Sequence, residues 1–285
     1  MVDVRPLSAA DVPALERFLA ARIEESMFLL SNLREAGFGP TEHRLGGVHV
    51  GSFVEGELAG VACHLNMGNL MLSAPEHASD LAELAMGCSA RSLRALVGPE
   101  AQVDAVCERL RLDATSFRFD EREGLYRLHL ADLNVPEALA HGEVCGRAPR
   151  PADLERLLEE SIAYQVESIG KRDSPQLRAE IRAGLPESIA RGDIWLLERE
   201  GEFVAKTGFN ARVPEAVQIG GVWTPPPLRG RGYARCALAS HLLAVRELGV
   251  RTAILFTGDG NLPAQRAYLA LGFERVGRYR VVMMT

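Results

Sequence analysis

Lysine is nearly absent from this chain of 285 residues: Lys171 and Lys206 stand against thirty arginines, a ratio that reflects base composition more than function. Cysteine is sparse as well. Cys63, Cys88, Cys107, Cys145 and Cys236 are an odd number, include no C-x-x-C and have no histidine at ligand spacing. That pattern points to neither a disulfide framework nor a zinc site, no metal is expected, and the thiols read as core residues. No apolar run approaches the roughly 20 residues of a membrane span. The opening MVDVRPLSAADV lacks the basic and apolar regions of a signal peptide, so a cytoplasmic protein with no membrane partner is expected.

What is present is the balance of an ordinary globular chain, with 47% hydrophobic and 25% charged residues. The length suits two domains of about 140 residues each. Charge is divided unevenly between the halves. Residues 1–142 hold 12 basic and 21 acidic groups, and residues 143–285 hold 20 and 17. The basic half suits an anionic ligand, but its surplus is too small to argue for nucleic acid, and no nucleic-acid partner is expected.

The stretch Gln218 to Ala234, QIGGVWTPPPLRGRGYA, organises that second half. An apolar run from Val217 to Trp223 meets three prolines and an Arg/Gly loop. Then Leu238, Leu242 and Val245 recur at helical spacing, which predicts strand, loop and a helix from about Tyr233 to Leu248. The loop leads into a helix N-terminus, where backbone N–H groups lack partners and the macrodipole favours an anion. Gly230 and Gly232 allow close approach of the backbone, and Arg229, Arg231 and Arg235 add positive charge. There is no GxxxxGK[ST], and GxGxxG fails at Arg235. An Arg/Gly surface turn beside an ordinary helix is the plainer alternative.

The pattern Arg229-x-x-Gly232-x-Ala234 resembles the pyrophosphate signature of the GNAT superfamily, the acyl-CoA-dependent N-acetyltransferases. The resemblance continues through a second strand, Thr252 to Phe256, into Asn261-x-x-Ala264-x-x-x-Tyr268-x-x-x-Gly272-Phe273. It implies that backbone groups of Val222 and Thr224 pair with the pantetheine arm of acetyl-CoA. The N–H groups of Arg229, Gly230, Arg231, Gly232, Tyr233 and Ala234 would hold the pyrophosphate. Asn261 would contact the cofactor, and Tyr268 would stand near its sulfur. Trp223 is counted with the cofactor stretch, a core position being the other reading of its side chain. The resemblance names no general base; Glu167, Asp173, Glu198 and Glu215 lie in segments that could face the acceptor, or could be solvated surface carboxylates.

The first half repeats the order of the second. Ala10-Asp11 before an apolar helix matches Ala152-Asp153, Glu55-Gly56-Glu57 matches Glu200-Gly201-Glu202, and Tyr126-Arg127-Leu128 matches Tyr279-Arg280-Val281. The spacings of 142, 145 and 153 residues grow slowly, as a duplication with insertions would produce. The fold expected is α/β of the α+β type: two tandem GNAT-like domains, residues 1–135 and 143–285, each a mixed, mostly antiparallel sheet flanked by helices. Where the first half should carry the loop stands Ser73-Ala74-Pro75-Glu76-His77-Ala78, without glycine or arginine and with acids that repel phosphate. That domain is expected to bind no CoA. The implied activity is acetyl transfer from acetyl-CoA to a primary amine of a small molecule by direct attack, in a monomer or homodimer. Two other classes remain: a non-catalytic acyl-CoA-binding module, and tRNA-dependent aminoacyl transfer, against which the intact loop and the absence of a basic patch count.

Overall fold

A computed structural model describes residues 2–39 and 41–285. In the first half the elements are β1 (Val2–Pro6), α1 (Val12–Ala21), α2 (Ile23–Ala36), β2 (Gly47–Val54), β3 (Glu57–Leu65), β4 (Asn69–Ser73), α3 (Ala78–Ser89), β5 (Ala95–Pro99), α4 (Glu100–Arg109) and β6 (Phe117–His129). Then follow α5 (Glu137–Ala140), β7 (Cys145–Arg147), α6 (Leu154–Ile169), α7 (Pro175–Ala190), β8 (Ile194–Arg199), β9 (Glu202–Val213), β10 (Ala216–Trp223), α8 (Tyr233–Glu247), β11 (Thr252–Gly258), α9 (Leu262–Ala270) and β12 (Glu274–Met284). The chain forms two compact units that interleave in sequence. One is the chain up to Tyr126 with Phe256–Asn261 and Arg275–Thr285; the other is Arg127–Leu255 with Leu262–Glu274. The final strand of the second half thus belongs to the first unit, where Tyr279–Met283 pair antiparallel with Pro99–Ala95.

In the first unit the strand order is β1-β2-β3-β4-β5-β12-β6. Its core joins Val50, Ala62, Leu70, Leu72 and Leu96 of the sheet to Leu81 and Ala85 of α3 and Val103 and Val106 of α4. In the second unit the order is β11-β10-β9-β8-β7. Period-two alternation divides its residues cleanly. Leu196 packs with Leu157, Leu158, Ile162 and Leu185 of α6 and α7, while its neighbour Leu197 packs with Cys236 and Ala237 of α8.

The duplication is written in matching local devices. Arg5 of β1 holds Asp11 with two hydrogen bonds of 2.9 and 2.7 Å, and Arg147 of β7 holds Asp153 with bonds of 2.7 and 3.0 Å. Each aspartate also accepts from a backbone N–H three residues earlier, Ser8 or Arg150, and so fixes the turn into its helix. The Glu-Gly hairpin turns match as well: Glu55 and Gly56 have φ of 53° and 86°, and Glu200 and Gly201 have 53° and 82°.

In the second unit Trp195 Nε1 donates to Ser240 Oγ at 2.7 Å, and Gly146 of β7 lies directly against that pair. A Cβ at Gly146 would stand 1.5 Å from Ser240 Oγ. Gly146→Ala is expected to lower stability by about 1–3 kcal/mol, the usual range for overpacking. Urea denaturation should report this as a lower midpoint at unchanged m-value; an unchanged midpoint would mean that β7 is not seated against α8.

Candidate active site

The site of interest begins where β10 stops pairing on one side. Its parallel register with β11 runs Ala216↔Thr252, Val217↔Ala253 and Gln218↔Ile254 and ends there. Against β9 it continues to Trp223↔Lys206, but through an irregularity at which Gly221 and Val222 face the single residue Thr207. Gly221 takes the left-handed φ of +61° that this bulge needs. Beyond Gln218, therefore, the strand has backbone to spare. Buried polar atoms collect along it without partners: Gln218 Oε1, Thr207 Oγ1 and Thr224 Oγ1. Orphaned buried groups are rare in folded proteins and mark a place for a ligand or water.

Downstream, Gly230 and Gly232 have φ of +76° and +80°, and no acceptor stands against the N–H groups of Gly230, Arg231 or Gly232 among the described residues. Gly232 is the N-cap of α8, so the unpaired N–H groups of the loop run straight into those of the first helical turn. A cleft of about 510 Å³ lies against this corner, lined by Arg231, Gly232 and Arg235 with Glu137, Glu143 and Ala270 opposite. Arg235 Nε is buried without a partner. Backbone donors, a helix dipole and an unsatisfied guanidinium together fit a phosphate-bearing ligand. Tyr233, the first residue of α8, is buried, and its hydroxyl accepts from Arg199 at 3.1 Å, which lowers the phenol pKa.

Arg229 does something other than reach for an anion. Its Nε donates to Thr224 O at 3.0 Å, its Nη1 meets Glu167 at 2.7 Å, and its guanidinium lies 4.8 Å over the Trp223 ring. It braces the loop. Trp223 is 4% exposed, with Nε1 donating to Glu160 Oε2 at 2.8 Å, so its side chain serves the packing of α6 on the sheet. Val222 is half-buried on the bulge and Ala234 half-buried in the first turn of α8. Tyr268 is half-buried on α9, its ring 5.9 Å from Phe273, and α9 packs on α8. Asn261 is exposed and falls in the first unit, its N–H bonded to Gly258 O at 3.0 Å.

Among the carboxylates considered as bases, Glu167 is tied to Arg229, Asp173 to Arg178 and Glu198 to Arg147. For Asp173 the hydrogen bonds from Arg178 lower the pKa, which weakens it as a base. Glu215 uses its carbonyl to accept from Arg251 and Thr252 N–H. The residue that sequence reasoning passed over is Lys206, set aside with the arginine bias as compositional; it is 6% exposed on β9 beside the bulge.

The first unit closes the corresponding place. β4 and β5 share a matching three-residue parallel register, Asn69↔Ala95 to Met71↔Val97. A Cβ on Gly98 would stand 3.0 Å from Leu72 Cβ, so these strands stay in contact. Ala74 N–H, just past β4, donates to the buried Gln102 Oε1 at 2.7 Å. His77, the N-cap of α3, has Glu76 and Asp80 at 4.0 and 3.7 Å.

Residues 154–273 match the model of the Acetyltransferase (GNAT) family. That segment is a GNAT acetyltransferase domain. Solved structures resemble the whole chain at low identity. A Drosophila protein aligns at TM-score 0.67 and 14% identity, over 99% of this chain and 98% of its own. A GCN5-related N-acetyltransferase from Sphaerobacter thermophilus aligns at 0.56 and 18%, over 99% and 94%. A tandem GNAT protein from the clavulanic acid biosynthesis pathway aligns at 0.54 and 15%, over 99% and 98%. No curated protein matches the sequence. The GNAT domain supports acyl transfer, and among the described residues no helix is long and apolar enough to cross a membrane and no cluster of side chains could hold a metal ion.

An anion at the GNAT loop is inferred from the unpaired N–H groups of Gly230 to Gly232. Gly232→Glu would place a carboxylate there and force a side chain into the left-handed region. Acetyl-CoA affinity by calorimetry is expected to fall at least tenfold in the folded variant; unchanged affinity would move the phosphate site elsewhere.

Proposed function

We propose that this protein is an N-acetyltransferase that moves the acetyl group of acetyl-CoA to a primary amine of a small molecule by direct attack. The observation that carries the reading is β10 itself, with its pairing to β11 ended at Gln218, polar atoms unpartnered at Gln218 and Thr224, and unpaired N–H groups at the loop that follows. Backbone groups of Val222 and Thr224 would align the pantetheine arm, and the N–H groups from Gly230 to Ala234 would hold the pyrophosphate, that of Arg229 being bonded to Pro226 O at 3.3 Å, with Arg231 and Arg235 adding charge. Acetyl-CoA supplies the activated thioester. A strand N–H at the bulge would polarise the thioester carbonyl in the manner of an oxyanion hole. No acyl-enzyme is then required.

Tyr268 is assigned to the departing sulfur. A phenol of pKa about 10 would protonate a thiolate of pKa about 8.5 uphill by roughly 2 kcal/mol, so its role is a hydrogen bond in the transition state. Asn261 is assigned to the cofactor. The first unit, with its closed β4–β5 pair and a surplus of acids in its half of the sequence, is assigned a structural or acceptor-side role without CoA. Monomer and homodimer both accommodate this scheme.

The test is thiol release from acetyl-CoA by the intact protein, screened against polyamines, amino acids, aminoglycosides, amino sugars and peptides. Turnover with an amine is expected, with one acetyl-CoA bound per chain by titration. Binding without thiol release from any amine would leave an acyl-CoA-binding module, and two sites per chain would mean that the first unit binds as well. With the amine in hand, Tyr268→Phe is expected to lower kcat at least tenfold with acetyl-CoA affinity nearly intact. Equal kcat under conditions where chemistry limits the rate would remove the tyrosine from the mechanism.

A further inference from the structure

Three residues form a row across β8, β9 and β10: Leu196 pairs with Lys206, and Lys206 pairs with Trp223. Directly paired residues share a face of the sheet, here the face covered by α6. Leu196 and Trp223 bury apolar side chains, as the position demands. Lys206 puts an amine there, 6% exposed, with no hydrogen-bond acceptor and no carboxylate at ion-pairing distance among the described residues. A buried ammonium without a counter-ion is strongly disfavoured, and packing alone would be served better by leucine or methionine.

The groups around it are few. From α6 the Tyr164 ring centroid lies 5.4 Å from Nζ, and Glu160 acts on the amine from beyond ion-pairing distance. The two Glu160 oxygens are already used, one by Arg156 Nε at 2.7 Å and the other by Trp223 Nε1 at 2.8 Å. Glu167 is committed to Arg229 of the loop. From β10, a Cβ on Gly221 would stand 3.8 Å from Nζ, so the amine lies against the bulge itself. Burial pulls the lysine pKa down to about 8, with Glu160 pulling weakly the other way.

We propose that Lys206, in its neutral form beside the β10 bulge, is the base that removes a proton from the acceptor ammonium, an assignment that rests on the acetyl transfer proposed above. The amine then attacks the thioester carbon; the C–N bond forms, the C–S bond breaks, the thiolate takes one proton and Lys206 the other, which it returns to solvent. Each turnover thus converts an ammonium and a thioester into an amide, a thiol and one released proton. An ordinary lysine near 10.4 would be neutral about once in a thousand at pH 7.5, whereas one near 8 is neutral about a quarter of the time. The bulge and the apolar row supply that difference.

The experiment uses the full chain and the amine identified by thiol release. The pH profile of kcat/KM for the unmodified protein should rise with an apparent pKa near 8. Lys206→Met should lose that rise and at least a hundredfold in kcat/KM. Acetyl-CoA affinity by calorimetry should stay within twofold, and the urea midpoint should not fall, since a buried charge is exchanged for an apolar chain of similar length. Lys206→Arg keeps the positive charge and cannot act as a base at this pH, so it should be as inactive as the methionine variant. Activity restored by arginine would show that Lys206 holds an anionic group of the acceptor and would overturn the assignment, as would a methionine variant that keeps its rate or its rise near pH 8. If the unmodified protein binds acetyl-CoA but turns over no amine, the transferase reading falls and the base with it; if it turns over and Lys206→Met matches it, the base alone falls.

Discussion

A β-strand must satisfy its backbone polar groups on both edges, and β10 stops doing so on one edge after Gln218. Everything distinctive about the second unit follows from that interruption. The bulge at Gly221 and Val222 turns the strand, three prolines deny it further ladder donors, and two glycines in the left-handed region deliver the chain to the N-terminus of α8 with its N–H groups unspent. Arg229 braces this loop from behind through Thr224 and Trp223, which leaves Arg231 and Arg235 to give the cleft its charge.

The first unit shows what the same plan becomes when the interruption is removed. It keeps the arginine–aspartate clasp of the opening strand, the Glu-Gly hairpin turn and the short parallel ladder. At the decisive place, however, Leu72 meets Gly98, and Ala74 gives its N–H to Gln102. The N–H of Ala74, just past β4, is thereby spent internally, and Glu76 and Asp80 stand near the start of α3. Unpaired backbone is tolerated only where a ligand repays it, so the two halves differ in their satisfied hydrogen bonds more than in their order of elements.

Several carboxylates of the second unit are tied to arginines, among them Asp153 to Arg147, Glu159 and Asp173 to Arg178, and Glu167 to Arg229. Lys206 has no such partner and a side chain that can be neutral. A chain with thirty arginines and two lysines places one of those lysines in an apolar row beside the interrupted strand.

The strand, loop and helix from Ala216 to Glu247 were legible in the sequence because they rest on local rules: apolar alternation, proline and glycine punctuation, and helical spacing of Leu238, Leu242 and Val245. The duplication was legible for the same reason, since its clasps and turns are set by residues close in the chain. Three things were decided only by tertiary structure. The membership of β12 in the first unit depends on pairing with β5, some 180 residues away in sequence, which no local pattern encodes. The part taken by Arg229 depends on Glu167 and Trp223 arriving from α6 and β10. The burial of Lys206 depends on which face of β9 the helix covers; in sequence it is one polar residue in an alternating strand, and only the packing of α6 over Leu196, Lys206 and Trp223 makes its solitary charge a chemical fact.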